Sequence, residues 1–336
     1  LSKKGGSMQR RQLGIDGPEV SVIGLGTWAI GGGDWPFGWG EQDEHDAIET
    51  IHRAVDLGIN WIDTAAVYGF GKSERLVGRA LASIAAEDRP LIATKCGRID
   101  NGDGTIGKSL IRQSVINECE ASLQRLGVEC IDLYQMHWPE PDEQIEEGWE
   151  TLLELQKQGK VRYVGVSNHS VSQMQRLQVI NPIQSSQPPY SMIADEAEES
   201  VLPHCGDQGI GVVCYSPMGK GLLTGAFDAK RASLLAENDH RRHDPRFQSP
   251  QLEINLRFVQ SIEKIATRLG WTVAELSIAW VLRLPVVTSA IVGSRSASQI
   301  EQTAIAASRE LDEATEREIA VLINMRKTLL TSVQGV

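Results

Sequence analysis

Eight short apolar runs, each followed by a stretch with helical periodicity, constrain this chain more than any other feature. The runs cover residues 20–25, 61–63, 91–94, 131–136, 161–166, 183–186, 212–215 and 287–292. Between them the apolar spacing changes from that of a strand to that of a helix. In 44–57, Ala47, Ile48, Ile51, Ala54 and Val55 fall on one helical face, and Gly58 stands where a left-handed cap belongs. Further helices are expected at 73–81 with Ser73 as N-cap, at 108–126 closed by Gly127, and at 143–158 closed by Gly159. Later ones are expected at 170–178, 194–205, 256–269, 273–283, 297–307 and 313–327.

Strand and helix alternate to the end with no linker-like segment and no shift in composition, which predicts an α/β chain folded as a (β/α)8 TIM barrel. Residues 8–336 then form one domain, and their length beyond the roughly 250 residues typical of the fold goes into long loops at the C-terminal face of the barrel. Asp16-Gly17 between extended residues predicts an N-terminal β-hairpin. An open doubly wound sheet is the rival architecture. It needs a dinucleotide fingerprint after the first strand, and Gly24-Leu25-Gly26-Thr27-Trp28-Ala29 starts like one, but Gly31-Gly32-Gly33 follows where a helix should open. Residues 1–7 (LSKKGGS) read as an expression-tag remnant.

Charge and cysteine usage narrow the function classes. Lys+Arg 33 against Asp+Glu 44 gives a net charge of −11, or 31 − 44 = −13 from Met8 onward. Such a field repels nucleic acid and anionic membranes. Cys96, Cys119, Cys130, Cys205 and Cys214 show neither pairing nor ligand spacing, so neither a disulfide framework nor a metal centre is expected, and a reducing cytoplasm fits. No run approaches about 18 apolar residues, and no secretory signal is evident.

In a barrel of this kind the chemistry belongs at the carboxyl ends of the strands. There the second run ends at Asp63 and leads to Tyr68, the third is followed by Lys95, and the fourth by His137. A tyrosine titrates near 10, too high for proton transfer at neutral pH unless a cation stabilises its phenolate. Lys95 supplies that cation, Asp63 keeps it charged against desolvation, and His137 orients a carbonyl oxygen. Each residue alone reads more readily as a structural ion pair or packing residue than as a catalytic group; it is their convergence on successive strand ends that points to a metal-free proton-transfer site.

These residues stand in recognisable company. Gly58-Ile59-Asn60-Trp61-Ile62-Asp63-Thr64-Ala65-Ala66-Val67-Tyr68-Gly69 strongly resembles the aldo-keto reductase family. So, in order, do Ser73 to Gly78, Ala93-Thr94-Lys95, Ser122 to Leu126, Asp132-Leu133-Tyr134, Met136-His137-Trp138, Gly165-Val166-Ser167-Asn168, Gln187 with Tyr190, Tyr215-Ser216-Pro217 and Val292-Gly293-Ser294-Arg295. The resemblance implies an NAD(P)H-dependent barrel enzyme that reversibly reduces aldehydes or ketones, with Tyr68 as general acid/base, Lys95 and Asp63 as its activating pair, and His137 orienting the substrate.

It also implies the cofactor residues. Gly26, Thr27, Trp28 and Asp63 follow the first strands; Ser167, Asn168 and Gln187 offer donors and acceptors to a carboxamide, and Tyr215 a face for the nicotinamide. Ser216, Pro217, Met218, Lys220 and Gly221 suit a pyrophosphate. Gly293, Ser294, Arg295 and Gln299 resemble the family's adenosine-phosphate site, and Arg295 favours NADP(H) over NAD(H). Gln302 and Thr303 depart from the glutamate and asparagine frequent there, which weakens that preference. Trp28, Tyr68, His137 and Trp138 are the expected substrate contacts. Trp35 and Trp39 either line the pocket or pin a glycine-rich loop, and residues 227–250 form either a lid or solvated surface.

The expected partner is a small aldehyde or ketone, with no nucleic acid and no membrane, and a monomer is slightly favoured. A cofactor-binding regulatory subunit acting through a protein partner is the alternative, and the filled catalytic positions favour the enzyme. A Schiff-base aldolase is disfavoured because Asp63 keeps Lys95 protonated.

Overall fold

A computed structural model describes residues 8–334, so the LSKKGGS segment lies outside the described residues. The chain opens with an antiparallel hairpin, β1 (Arg10–Gln12) and β2 (Glu19–Ser21), and then enters β3 (Ile23–Gly26). The apolar run at 20–25 is therefore two strands: at Val22 the chain leaves its antiparallel partner and joins a parallel sheet. That sheet continues through β4 (Trp61–Asp63), β5 (Leu91–Cys96), a side hairpin β6 (Arg98–Asp100) and β7 (Ile106–Lys108), then β8 (Ile131–Met136), β9 (Val161–Ser167), β10 (Ser185–Gln187), β11 (Gly211–Tyr215) and β12 (Val287–Gly293). Eight of these close a parallel barrel in the order β3-β4-β5-β8-β9-β10-β11-β12, because β12 pairs with β3.

The N-terminal hairpin plugs the end where the strands begin. Its Leu13 and Val20, each 2% exposed, pack with Trp61, Ala93, Leu133, Val213 and Ile291 inside the barrel. Trp61 fills the lower interior and its indole N–H bonds both Ser21 O and Ser289 Oγ at 3.1 Å. A Cβ at Gly24 would lie 2.1 Å from that ring, so only glycine lets β3 pass it.

Around the barrel run α1 (Glu44–Asp56), α2 (Lys72–Ala82), α3 (Arg112–Leu126), α4 (Ile145–Lys157), α5 (Val171–Gln178), α6 (Val201–Gln208), α7 (Ala229–Ser233), α8 (Gln251–Leu269), α9 (Val273–Leu282), α10 (Ala297–Ala304) and α11 (Glu313–Gln334). Local chemistry explains several ends. Asp43 accepts from Asp46 N to start α1, Ser170 and Gln173 form a capping box on α5, and Gly127 closes α3 at φ 66°.

Several helix starts differ from expectation; α8, expected from 256, already begins at Gln251. Ser73 lies inside α2, whose N-cap is Gly71 at φ 82°. Its hydroxyl is buried, bonding Thr64 Oγ1 at 2.9 Å and Thr27 Oγ1 at 2.8 Å, and so braces the loop after β4 rather than capping a helix. Lys108 ends β7, and α3 begins only at Arg112. The stretch at 194–205 splits into a tight turn at Glu196–Glu199 and α6. Among the described residues no single helix is long and apolar enough to cross a membrane.

Two long connections cover the C-terminal face: residues 27–43 after β3 and 216–250 after β11. They are zipped together. His240 N–H donates to Gly38 O at 2.9 Å, and Trp39 bridges Asp239 in antiparallel fashion.

Candidate active site

Adjacent barrel strands place Asp63, Lys95 and His137 side by side: β4 pairs with β5, and β5 with β8. Lys95 is 1% exposed and Asp63 2%. The ammonium donates to Asp63 Oδ1 at 2.7 Å and to Thr64 O at 2.8 Å, and its Nζ stands 3.5 Å from Tyr68 Oη. The second carboxylate oxygen of Asp63 accepts from Gln187 Nε2 at 2.9 Å. Burial lowers the Lys95 pKa, and the charge and hydrogen bond of Asp63 act against that loss.

Tyr68 is 8% exposed and faces a large cavity, as does His137, whose ring centroid is 5.8 Å away at 78°. Burial, reinforced by Asp63 and then Tyr215, holds the phenol well above its ordinary value of 10.0. The nearby Lys95 does not bring it down, because desolvation outweighs one cation whose charge is already matched by Asp63. Tyr68 is thus a protonated group, a donor in waiting. His137 is pushed well below 6.5 by the surrounding protein and by the cations Lys95 and Arg98, so its imidazole is neutral at pH 7 and keeps one N–H to donate. Its main chain is fixed on both sides, N–H to Cys96 O at 3.0 Å and C=O from Asn168 Nδ2 at 2.9 Å.

The cavity has a volume of about 1200 Å³, above the roughly 300–1,000 Å³ of a drug-sized pocket. It runs from Tyr68, His137 and Trp138 past Tyr215 to Gly293, Arg295, Gln299 and Gln302 near the start of α10. Gly26, Trp28, Asp63, Ser167, Asn168, Gln187, Ser216, Pro217, Met218, Lys220 and Gly221 also border it. Thr27 and Ser294 do not. Thr27 is fully buried, with its hydroxyl on Asp63 O at 2.9 Å, and Ser294 is 1% exposed with its Oγ turned into protein.

Several expected ligand groups already hold one another. Asn168, left-handed at φ 62°, donates Nδ2 to His137 O and Ser167 Oγ while its Oδ1 accepts the Tyr215 hydroxyl at 2.8 Å. Asn168 and Ser167 therefore position the His137 backbone and the Tyr215 ring. Gln187 spends its amide N–H groups on Asp63 and on Gln135 Oε1, leaving Oε1 as the acceptor for a ligand. Gln135, buried inside β8, looks like a core position in sequence and offers no signal of this role.

The long connections contribute more than expected. Trp28, Trp35, Phe37 and Trp39 all border the cavity, and Trp28 and Trp35 lie 6.3 and 5.9 Å from the Tyr68 ring. His240 stacks on Trp28 at 4.8 Å, and Arg241, paired with Asp239 at 2.6 Å, sits over Trp39 at 4.7 Å. Residues 227–250 are thus partly packed cover rather than free surface. Lys220 is also tied down, 2.9 Å from Asp244 and 5.4 Å from the Trp28 centroid. Arg295 gives three of its donors to Trp39 O, Glu41 O and Gln42 Oε1. Phe70, Asn168, Ser216 and Lys220, all non-glycine and all left-handed, lie in loops beyond the strand ends, where backbone strain is held by this packing.

Comparison with known proteins agrees with this fold. The model of the Aldo/keto reductase family matches residues 22–323. Aldo-keto reductase YhdN of Bacillus subtilis (strain 168) is 39% identical over 317 residues, 94% of either chain. Among solved structures, the glycerol dehydrogenase AKR11B4 from Gluconobacter oxydans matches with a TM-score of 0.84 and 35% identity over 96% of each chain. The holo form of aldo-keto reductase AKR11C1 from Bacillus halodurans matches with a TM-score of 0.78 and 26% identity over 94% of this chain and 96% of its own. With a family match over most of its length, a relative at this identity and coverage, and the closed parallel barrel, the chain belongs to the aldo/keto reductase family and is an NAD(P)H-dependent oxidoreductase.

Proposed function

We propose that this protein reduces an aldehyde or ketone with NADPH, using Tyr68 as the proton donor. The observation that carries the reading is the stack of Asp63, Lys95 and Tyr68 at one wall of the cavity with neutral His137 beside it. The His137 N–H receives the carbonyl oxygen and aims it at the phenol. Tyr68 then gives its proton from Oη to that oxygen, and Lys95, held by Asp63, stabilises the phenolate left behind. Lys95 lies behind the cavity wall and Asp63 only borders it, and both act through Tyr68 as positioning residues.

The residues present fit a nicotinamide dinucleotide. Gln187 Oε1 is an acceptor for a carboxamide, the Tyr215 ring borders the cavity with its hydroxyl held by Asn168, and Lys220, Gly221 and Met218 border a stretch suited to phosphates. When bound, the dinucleotide supplies the hydride. Arg295 supports the phosphorylated form: of the five N–H donors on a guanidinium, three are engaged and two remain for an anion. Residues 8–336 act as one domain in this reading.

The test is a panel of aromatic and aliphatic aldehydes and ketones with NADPH and NADH in parallel, followed by nicotinamide absorbance. Turnover with NADPH preferred is the expected result. Tight NADPH binding without turnover of any carbonyl would instead favour a cofactor-binding regulatory protein.

A further inference from the structure

The β6–β7 hairpin forms part of the cavity wall beside His137, and the charges it brings to the cavity are unbalanced, because Arg98 and Lys108 border it while Asp100 and Asp103 do not. Arg98 on β6 donates from Nη2 to Glu140 Oε2 at 2.7 Å and lies 5.5 Å over the Trp138 ring. Lys108 on β7 reaches the same Glu140 oxygen at 2.8 Å. Arg98, Lys108, Trp138 and Glu140 all border the cavity. One carboxylate is therefore shared by two cations, and a positive charge is left over at the rim. The other lining carboxylates do not supply it: Asp63 is paired with Lys95, and Glu196 lies close enough to act on Arg326.

Arg98 is also held in place. Its side chain is 13% exposed, clamped between Trp138 and Glu140. The residue before it, Gly97, is left-handed at φ 91°, and its N–H is gripped by both carboxylate oxygens of half-buried Glu118 at 3.1 Å. A solvated arginine needs no such mounting. Glu140 occupies one of the five donors, so the guanidinium retains N–H groups for a second acceptor.

We propose that Arg98, backed by Lys108, binds an anionic group at the far end of the carbonyl substrate, so that the preferred substrates are aldehydes or ketones bearing a carboxylate or phosphate. The inference rests on the carbonyl-reductase reading and adds the substrate class to it. Arg98 makes the directional contact, since a planar fork matches carboxylate and phosphate oxygens, and Lys108 adds charge. Glu140 competes with the substrate for both.

The experiment compares kcat/KM for matched pairs: 4-carboxybenzaldehyde against benzaldehyde, and glyceraldehyde 3-phosphate against glyceraldehyde. The wild-type protein is expected to prefer the anionic member of at least one pair about tenfold or more, and the pair with the larger ratio identifies carboxylate or phosphate. Arg98→Gln should lower that ratio about tenfold, chiefly through KM for the anionic member. Glu140→Gln should raise it, because two cations are then released. A variant that merely folds poorly loses both members of a pair together and cannot raise the ratio. Turnover of benzaldehyde with no charge preference, or a ratio that Glu140→Gln lowers, overturns this inference alone. If no carbonyl of any kind is turned over, the reductase reading falls with it.

Discussion

Replacing Lys95 with methionine removes the cation beneath Tyr68 and keeps an unbranched side chain of similar reach. Asp63 retains Gln187 but loses the 2.7 Å bond to Nζ, so a carboxylate 2% exposed is left without its counter-charge. Breaking one half of a buried pair costs about 3–5 kcal/mol. At roughly 2 °C per kcal/mol for a chain this long, Lys95→Met should melt about 6–10 °C below wild type. Pairing it with Asp63→Asn leaves no buried charge, and removing both partners of such a pair is often close to neutral. The double variant should therefore recover most of the melting temperature, with a coupling of about 3 kcal/mol in the cycle. Activity should not recover, because Tyr68 still lacks a cation for its phenolate; kcat should stay down by about 10²–10⁴ in both. Thermal melts and aldehyde reduction are measured on the four proteins. A double variant no more stable than the weaker single, or a Lys95→Met enzyme with wild-type kcat, refutes the reasoning.

Other perturbations read other parts of the account. Glu118 is half-buried, and desolvation raises its carboxyl from 4.5 to about 7, so the folded state binds its proton more tightly than the unfolded chain does. Stability is therefore lost as pH rises from about 4.5 to 7, by about 3 kcal/mol. Glu118→Gln should gain on wild type by that amount between pH 5 and 8 in urea unfolding; a difference independent of pH contradicts it. Gly24→Ala puts a methyl 2.1 Å from the Trp61 indole and should destabilise by about 3 kcal/mol or more, partly relieved by Trp61→Leu in the same chain, as chemical denaturation will report. Arg295→Ala should weaken NADPH binding far more than NADH binding in a fluorescence titration, and equal losses remove Arg295 from phosphate recognition.

What the sequence disclosed and what it hid divide along physical lines. Barrel strands buried on both faces read as continuous apolar runs, so their order and the strand ends holding Asp63, Lys95 and His137 were legible. Tyr68 was legible because it follows Asp63 within one short loop. Ser73 misled because a hydroxyl ahead of Glu74 resembles a cap, whereas its partners Thr27 and Thr64 come from two other loops. Thr27 and Ser294 sit within motif-like strings, but their side chains point into protein. The β6–β7 hairpin and the pairing of Gly38 with His240 carry no periodic signal, since polar loops are ordered only by distant contacts. The direction of the Tyr68 pKa is hidden for a related reason: sequence shows which charges are near, but not how much water is excluded.

In this mechanism the Tyr68 hydroxyl delivers the proton. Tyr68→Phe removes that oxygen and keeps the ring that packs against Trp28, Trp35 and His137. Measured with NADPH and an aldehyde that the wild type reduces, the variant should lose about 10²–10⁴ in kcat while binding NADPH with unchanged affinity. Full turnover by Tyr68→Phe would contradict the account.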